Sequence, residues 1–421
     1  MFITSLTLLI AGVFFATFRK FHVIHGALLA FAIYHHSLIL VYFISESSNY
    51  SDWVKFTNSD ISFSVVLILL ILVGSGLILQ SIDTPRPVQI SYVLPFDRLF
   101  LRISSVIALA LVVMLYLYLG GSLSLSKQEI FSGGFSIIGL LQYPLMIIFL
   151  ASVVLSDRTS ILFSLLALIG FSIFMVSRSI IILPILGAIF FYVYNHRISS
   201  LVTPLRVFTL VSIVFIAIYG KLIALGIRTG NFEIFLNSLE GTNLAGLMEG
   251  LEGYFISYHF VDIVNSPRYY NWINSFDALY QLLVFPDLFG ADSQSFTVYL
   301  SEHYRPSANF GLAYTYFGEG FAVGGFIGVA GWTILLVVQL LIVHCVLKKA
   351  ENIWVLAWAC FAMSILCFYY PRNSMEINLA MFRLSGLSAL GMGMLSFAAK
   401  KLFIMPKHKH NVLTSQSSAK T

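Results

Sequence analysis

The residues best suited to chemistry in this chain are arginines set where apolar sequence gives them little reason to be. Arg178 interrupts FMVSRSIIILPIL, residues 174–186, within one of the most hydrophobic stretches. Arg228, Arg305 and Arg372 stand at three further junctions between apolar runs and more polar sequence. A guanidinium keeps its charge in low dielectric and presents a rigid fork of donors that matches two phosphate oxygens at once. Four of them around one cavity would suit a pyrophosphate headgroup. The plainer role for a single arginine near a membrane interface is an anchor, reaching lipid headgroups or a loop carboxylate. Arg268, in SPRYYNW, suits the plainer role best, with Asp262 as its candidate partner.

Three side chains could act as a base toward a hydroxyl: Glu376, Glu319 and His303. Glu376 lies four residues after Arg372 in YYPRNSMEINLAMFR, so the two share a face if a helix begins there. A simple ion pair within that helix is the alternative. Arg383, two turns further in, is an expensive charge unless it lines a polar cavity. Glu319 opens the glycine-rich stretch FGEGFAVGG, where it could equally pair an arginine or serve as a helix N-terminal charge. Tyr258, Tyr270 and Trp272 fall in a dense aromatic stretch that suits stacking on sugars, or an interfacial belt.

The elements that must position these residues are membrane helices. Of the 421 residues 58% are hydrophobic and 10% charged, with a mean hydropathy of +0.89. A soluble domain carries about a quarter charged residues. Continuous apolar runs of roughly 20 residues predict an all-α polytopic membrane protein and exclude a β-barrel, whose strands alternate. Eleven spans are expected: 2–18, 23–44, 62–81, 101–119, 134–155, 159–176, 179–195, 207–226, 313–346, 353–370 and 377–398. The first run lacks a basic leader and reads as a span rather than a cleaved signal. The ninth is too long for one perpendicular helix and is expected to begin as a re-entrant or interfacial segment. Within it Gly320, Gly324 and Gly328 recur every four residues, predicting a smooth stripe on one helix face.

The chain thus divides into spans one to eight (1–226), one large hydrophilic loop (227–312), spans nine to eleven (313–398) and a basic tail (399–421). Fifteen of the 24 basic residues fall on one side of the spans, which makes that side cytoplasmic. The N-terminus is then outside, the tail inside, and the four arginine junctions outside with the large loop. That loop holds three arginines and nine acidic residues but no lysine. Its stretches 236–265 and FDALYQLLVFPDLFG read as helices able to lie on the membrane surface.

The three cysteines, Cys345, Cys360 and Cys367, suggest neither a disulfide framework nor a metal cluster. No GxxxxGK[ST], HExxH, CxxC or outer DxD occurs, so neither a cofactor nor a bound metal is expected. His35 and His36 read as interior polar residues without an assigned role, and the charge balance does not indicate nucleic acid.

This layout, with the SRS turn of MVSRSIII, the loop from Arg228, the FPDLFG-to-FGEGF stretch and PRNSMEINLAMFR, resembles the Wzy-type O-antigen and repeat-unit polymerases. The resemblance spans nearly the whole chain. It implies a C-type membrane glycosyltransferase fold in the bacterial inner membrane with one large periplasmic loop. It also implies transfer of a growing glycan from undecaprenyl pyrophosphate onto a lipid-linked repeat unit, without a metal. Arg178, Arg228, Arg305 and Arg372 would then bind the pyrophosphates, and one of Glu376, Glu319 and His303 would serve as base. Tyr258, Tyr270 and Trp272 would contact saccharide. A flippase and a chain-length regulator are the candidate protein partners, beside membrane lipid. Some members carry an Arg-x10-Gly pattern; here Leu239, Leu279 and Tyr316 stand at that offset. An O-antigen ligase or a lipid-linked oligosaccharide transporter are the competing readings, although no internal repeat supports the transporter.

Overall fold

The computed structural model describes residues 10, 23–44, 59–82, 95–118, 136–195, 215, 219–220, 223–224, 226–227, 230–233, 236–237, 252–284, 296–304 and 315–417. These are almost entirely helical. Among the described residues, six helices are long and apolar enough to cross a membrane. The expected spans 2–18 and 207–226 lie largely outside the described residues.

In chain order the helices are α1 (Val23–Ile44), α2 (Ser59–Ile82), α3 (Pro95–Tyr118), α4 (Ser136–Leu140), α5 (Gln142–Val154), α6 (Arg158–Met175) and α7 (Ser179–Asn195). They continue with α8 (Glu252–Asn265), α9 (Trp272–Asp277), α10 (Phe296–His303), α11 (Tyr316–Lys349), α12 (Ile353–Ser364) and α13 (Met375–Ser417). The expected span 134–155 is split between α4 and α5 at Leu141. The last helix does not end at residue 398 but runs on to Ser417, so part of the expected tail is helical.

The boundaries have local causes. Asp157 caps α6 by accepting from the backbone N–H of Ser160 at 3.2 Å. Val176 closes the same helix in a left-handed conformation, φ 47°. That reversal produces the SRS turn into α7. Asn352 caps α12, accepting from the Trp354 amide at 2.8 Å. The run α12 then passes through a π-helical turn, Ile365–Tyr369, and a 3-10 turn, Tyr370–Arg372, before α13.

Contacts between helices define two ends of the bundle. Phe100 meets Trp354 with ring centroids 6.0 Å apart, and the Tyr194 hydroxyl lies 3.2 Å from Nδ1 of His344. Arg102 donates to Asp157 through Nη2 at 2.7 Å and Nε at 3.1 Å, clamping the start of α3 to the α5–α6 turn. These pairs gather the start of α3, the α5–α6 turn and the facing ends of α7, α11 and α12 at one end. Arg98, Arg102, Arg158, Lys348 and Lys349 therefore share that basic end. Alternation of the helices puts Arg178, Arg372 and Glu376 at the opposite end.

The glycines of α11 do not form one stripe. Gly324 and Gly325 leave helical geometry, Gly325 at φ 57°, and the chain folds back on itself. A Cβ on Gly328 would overlap the carbonyl oxygen of Gly320, while one on Gly324 would meet nothing within 4 Å. Tyr316 and Trp332 face each other across the hairpin with centroids 6.4 Å apart. The segment Tyr316–Val323 is thus a short helix packed antiparallel on the long one. Glycines spaced four residues apart look the same in sequence whether the helix continues or reverses, and the backbone break at Gly324–Gly325 decides it.

Residues 252–284 and 296–304 pack on the bundle. Helix α8 buries Ile256, His259, Phe260, Ile263 and Val264, and it packs on α1 and α11. The stretch FDALYQLLVF ends its α-helix at Asp277 and continues as a 3-10 turn, Ala278–Leu282. Together with Ile273 of α9, Leu279, Leu282 and Val284 of this stretch are exposed, an apolar surface suited to a membrane interface.

Candidate functional site

Opposite the basic end, three chain segments meet on one carboxylate. Thr315 caps the short hairpin helix by accepting from the Gly318 amide at 3.2 Å, which sets Glu319 in its first turn. The Glu319 side chain is 1% exposed. One of its oxygens accepts from the Ser275 hydroxyl at 2.9 Å, and the other accepts from the backbone N–H of Met375 at 2.8 Å. Glu319 therefore ties helix α9 and the first residue of α13 to the hairpin. Of the roles open to it in sequence, the helix N-terminal one describes its contacts, although the helix it caps is α13 and not its own.

Around this carboxylate lie Tyr316, Tyr370, Ser374 and Asn378, all fully buried. Tyr316 and Tyr370 pack with centroids 4.6 Å apart. Among the described residues, the Tyr316 hydroxyl, the Ser374 hydroxyl and Oδ1 of Asn378 make no hydrogen bond. Buried polar atoms without partners are uncommon and cluster at functional sites or around unseen water.

Two arginines converge beside this cluster. Arg372 lies on the 3-10 turn ahead of α13, so its spacing to Glu376 does not put the pair on one helix face. Its guanidinium carbon sits 4.8 Å from the centroid of the Tyr369 ring. Arg383 donates through Nη1 to the carbonyl of Leu283 at 3.1 Å, and its buried Nε has no hydrogen-bond partner among the described residues. Both Arg383 and Tyr369 lie within electrostatic range of Tyr143 on α5. Glu376, half-buried in the first turn of α13, is within the same range of Glu319. Arg372, Arg383, Tyr143 and Tyr369 thus form a group of two cations and two phenols.

The remaining residues singled out in sequence are placed differently. Arg178 is half-buried in the α6–α7 turn, where its carbonyl accepts from the amides of Ile181 and Ile182 at 3.1 and 3.0 Å. Arg228 and Arg305 lie outside the described residues. His303 closes α10, stacked on Tyr299 at 4.6 Å with Nδ1 3.0 Å from the Tyr299 carbonyl oxygen. Tyr270 is buried, not open to a sugar: its rings of contact are Phe296 at 5.2 Å and Tyr299 at 4.9 Å, and its amide donates to Ala322 at the hairpin tip. Trp272 is 53% exposed at the start of α9, and the side chain of Tyr258 lies outside the described residues. Arg268 stands against Tyr304, with its guanidinium carbon 5.9 Å from that ring. The Tyr299 hydroxyl donates to the Arg268 carbonyl, and burial pushes the Tyr299 phenol well above its ordinary range.

Sequence reasoning did not single out Tyr143 or Ser275. Tyr143 is a polar ring in the apolar run of α5, a weak signal, and Ser275 carried none. Among the described residues, no three His, Cys, Asp or Glu side chains come together as a metal-holding group. No protein-family model, curated protein or solved structure matches this chain.

Proposed function

We propose that this chain is a membrane glycosyltransferase of the C type that polymerises undecaprenyl-pyrophosphate-linked repeat units into a surface polysaccharide. The observation that supports the reading is the convergence of Arg372 and Arg383, whose Nε has no partner among the described residues, on the Tyr143–Tyr369 pair. The full reading includes eleven spans and a location in the bacterial inner membrane, with the N-terminus and the arginine-bearing end facing the periplasm. The excess of Lys and Arg at the other end supports that orientation.

The chemistry asks little of the protein beyond charge. The acceptor hydroxyl attacks the anomeric carbon of the donor glycan, a new C–O bond forms, and the bond to the pyrophosphate oxygen breaks. The hydroxyl proton passes to the Glu376 carboxylate, and undecaprenyl pyrophosphate leaves. Preorganised guanidiniums in a site poor in water stabilise the charge that develops on the departing oxygen. Arg372 and Arg383 would take that role, with Arg178, Arg228 and Arg305 as further pyrophosphate ligands. The segment 252–304 would cover the glycan, and Trp272 offers it an exposed ring.

The test is the surface glycan of a deletion strain, resolved on a gel with and without the restored gene. Loss of the long ladder with a core-plus-one-unit band remaining supports a polymerase. Loss of that single unit as well overturns it in favour of a ligase or a lipid-linked oligosaccharide transporter.

A further inference from the structure

Three hydrogen bonds set the chain after Trp272 in register with α13. Ser275 and Met375 meet on the Glu319 carboxylate, at 2.9 and 2.8 Å. Eight residues further along each segment, the Leu283 carbonyl accepts from Nη1 of Arg383 at 3.1 Å. Between these points the 3-10 turn Ala278–Leu282 packs on α13. Residues 275–283 therefore run down the first two turns of α13, parallel to it, over about 12 Å at 1.5 Å per residue. Helical side chains lean toward the N-terminus, so Leu283 lies somewhat less deep than the Arg383 backbone. By Phe296 the chain is back where it set out. That ring lies 5.2 Å from Tyr270, whose amide donates to Ala322 at the hairpin tip.

Two rulers place this descent against the bilayer. A hydrocarbon core of about 30 Å spans about 20 helical residues. Counted from Lys348 at the basic end of α11, it reaches Gly328, which touches Gly320 beside Glu319. Counted from Lys400 on α13, it reaches Ala380. The first ruler sets the Arg383 backbone about 12 Å inside the core and the second about 4 Å. On both, residues 279–284 fall at or below the edge of the hydrocarbon.

The surfaces agree with that depth. Leu387, Leu390, Met394 and Phe397 share the face of α13 that carries Arg383 and are all exposed, as a lipid-facing stripe must be. Leu279, Leu282 and Val284 are exposed too, so the apolar stripe continues past Arg383 onto this segment. A helical segment that ends in hydrocarbon leaves its last carbonyls without partners, and lipid cannot supply them. The Arg383 guanidinium supplies one, which gives a charge two turns inside α13 a local reason.

We infer that residues 275–284 form a re-entrant half-helix that enters the leaflet opposite the basic end beside α13. Leu279, Leu282 and Val284 face acyl chains, and Arg383 holds the lower end. The segment is thus fixed to the bilayer as well as to α13. The inference does not rest on the glycosyltransferase reading.

Nitroxide labels on the full-length protein in proteoliposomes test it, read by their collisions with oxygen, which concentrates in hydrocarbon, and with a water-soluble nickel chelate. Cys345→Ser removes the exposed native thiol, while Cys360 and Cys367 are buried. Into that background go Leu279→Cys and Leu282→Cys, with Val284→Cys in reserve if either does not purify folded. Leu390→Cys on the α13 stripe and Tyr269→Cys, 70% exposed beside the hairpin tip, are the references. The ratio of oxygen to nickel accessibility at 279 and 282 should match that at 390 and be reversed at 269. Nickel access at 279 and 282 equal to that at 269 would set the segment in water and overturn the proposal. Shielding from both reagents would overturn it in favour of a covering protein, a second copy of the chain included. Arg383→Met should sharpen the spectrum at 282 and leave 390 unchanged; an unaltered spectrum at 282 would overturn the hold by Arg383.

Discussion

The carboxylate of Glu319 accepts the backbone N–H of Met375 at 2.8 Å, across 56 positions of chain. With its second oxygen it accepts the Ser275 hydroxyl, so it acts as a latch between the hairpin, the start of α13 and helix α9. Glu319→Gln keeps the shape but can accept from only one donor, and its amide NH2 then faces the other. A buried donor left without a partner costs about 1–3 kcal/mol, so Gln should lower the thermal midpoint and Ala should lower it about twice as far. Activity below the lowered midpoint should survive in Gln. Complete loss of transfer with an unchanged midpoint would make Glu319 the reacting base.

The hairpin makes a sharp distinction among glycines. Gly328→Ala drives a Cβ into the Gly320 carbonyl, and Gly320→Ala meets the Gly328 carbonyl oxygen at 2.9 Å. Backbone cannot move aside as a side chain can, so both variants should separate the short helix from the long one. Gly331→Ala meets nothing within 4 Å and should be neutral. Yield of folded, monodisperse protein after membrane extraction is the measurement. Equal behaviour of Gly328→Ala and Gly331→Ala would contradict the reversal at Gly324–Gly325.

In Arg383, Nη1 is held by the Leu283 carbonyl and the buried Nε has no partner among the described residues, so the proposed role in pyrophosphate binding can be tested there. Arg383→Ala should reduce polymer synthesis by roughly 10²–10³, the usual effect of removing one donor from a developing negative charge. Arg383→Lys should recover little of it, because a point charge cannot span two oxygens. Polymer formation in a membrane assay with purified lipid-linked repeat unit reads both. Full activity in Lys would reduce the role of the fork to charge alone.

The hydropathy pattern made α6 and α7 legible nearly to the residue, because a left-handed stop and an SRS turn divide two uniform apolar runs. It also indicated that the long ninth run is not one straight helix. The reversal itself was hidden, since Gly320 and Gly328 meet only through a backbone break that no spacing announces. The latch was hidden for a related reason: Ser275 and Met375 are unremarkable in sequence and meet Glu319 through tertiary packing alone. Tyr270 shows the opposite failure. Its place in an aromatic stretch suggested an open ring, but burial depends on Phe296 and Tyr299, which arrive from elsewhere in the chain.

At the basic end, Arg102 beside Asp157 holds the carboxyl well below its ordinary range, with burial opposing and the Ser160 hydroxyl and amide reinforcing. A depressed carboxyl pKa contributes stability that is fully present above the unfolded value, about 3.9 for Asp. That contribution is lost as pH falls below it toward the folded value. The clamp should therefore be intact at neutral pH and weaken only in acid. Asp157→Ala removes the α6 cap and the ion pair together. The cap alone is worth roughly 0.5–2 kcal/mol, and the exposed half of Arg102 limits what the ion pair adds. Thermal midpoints should therefore fall modestly at pH 7, and the gap between variant and unaltered protein should narrow in acid, below pH about 3.9. Measuring both midpoints across that range checks it, and a gap that stays constant into strong acid would mean that the Asp157 charge contributes nothing.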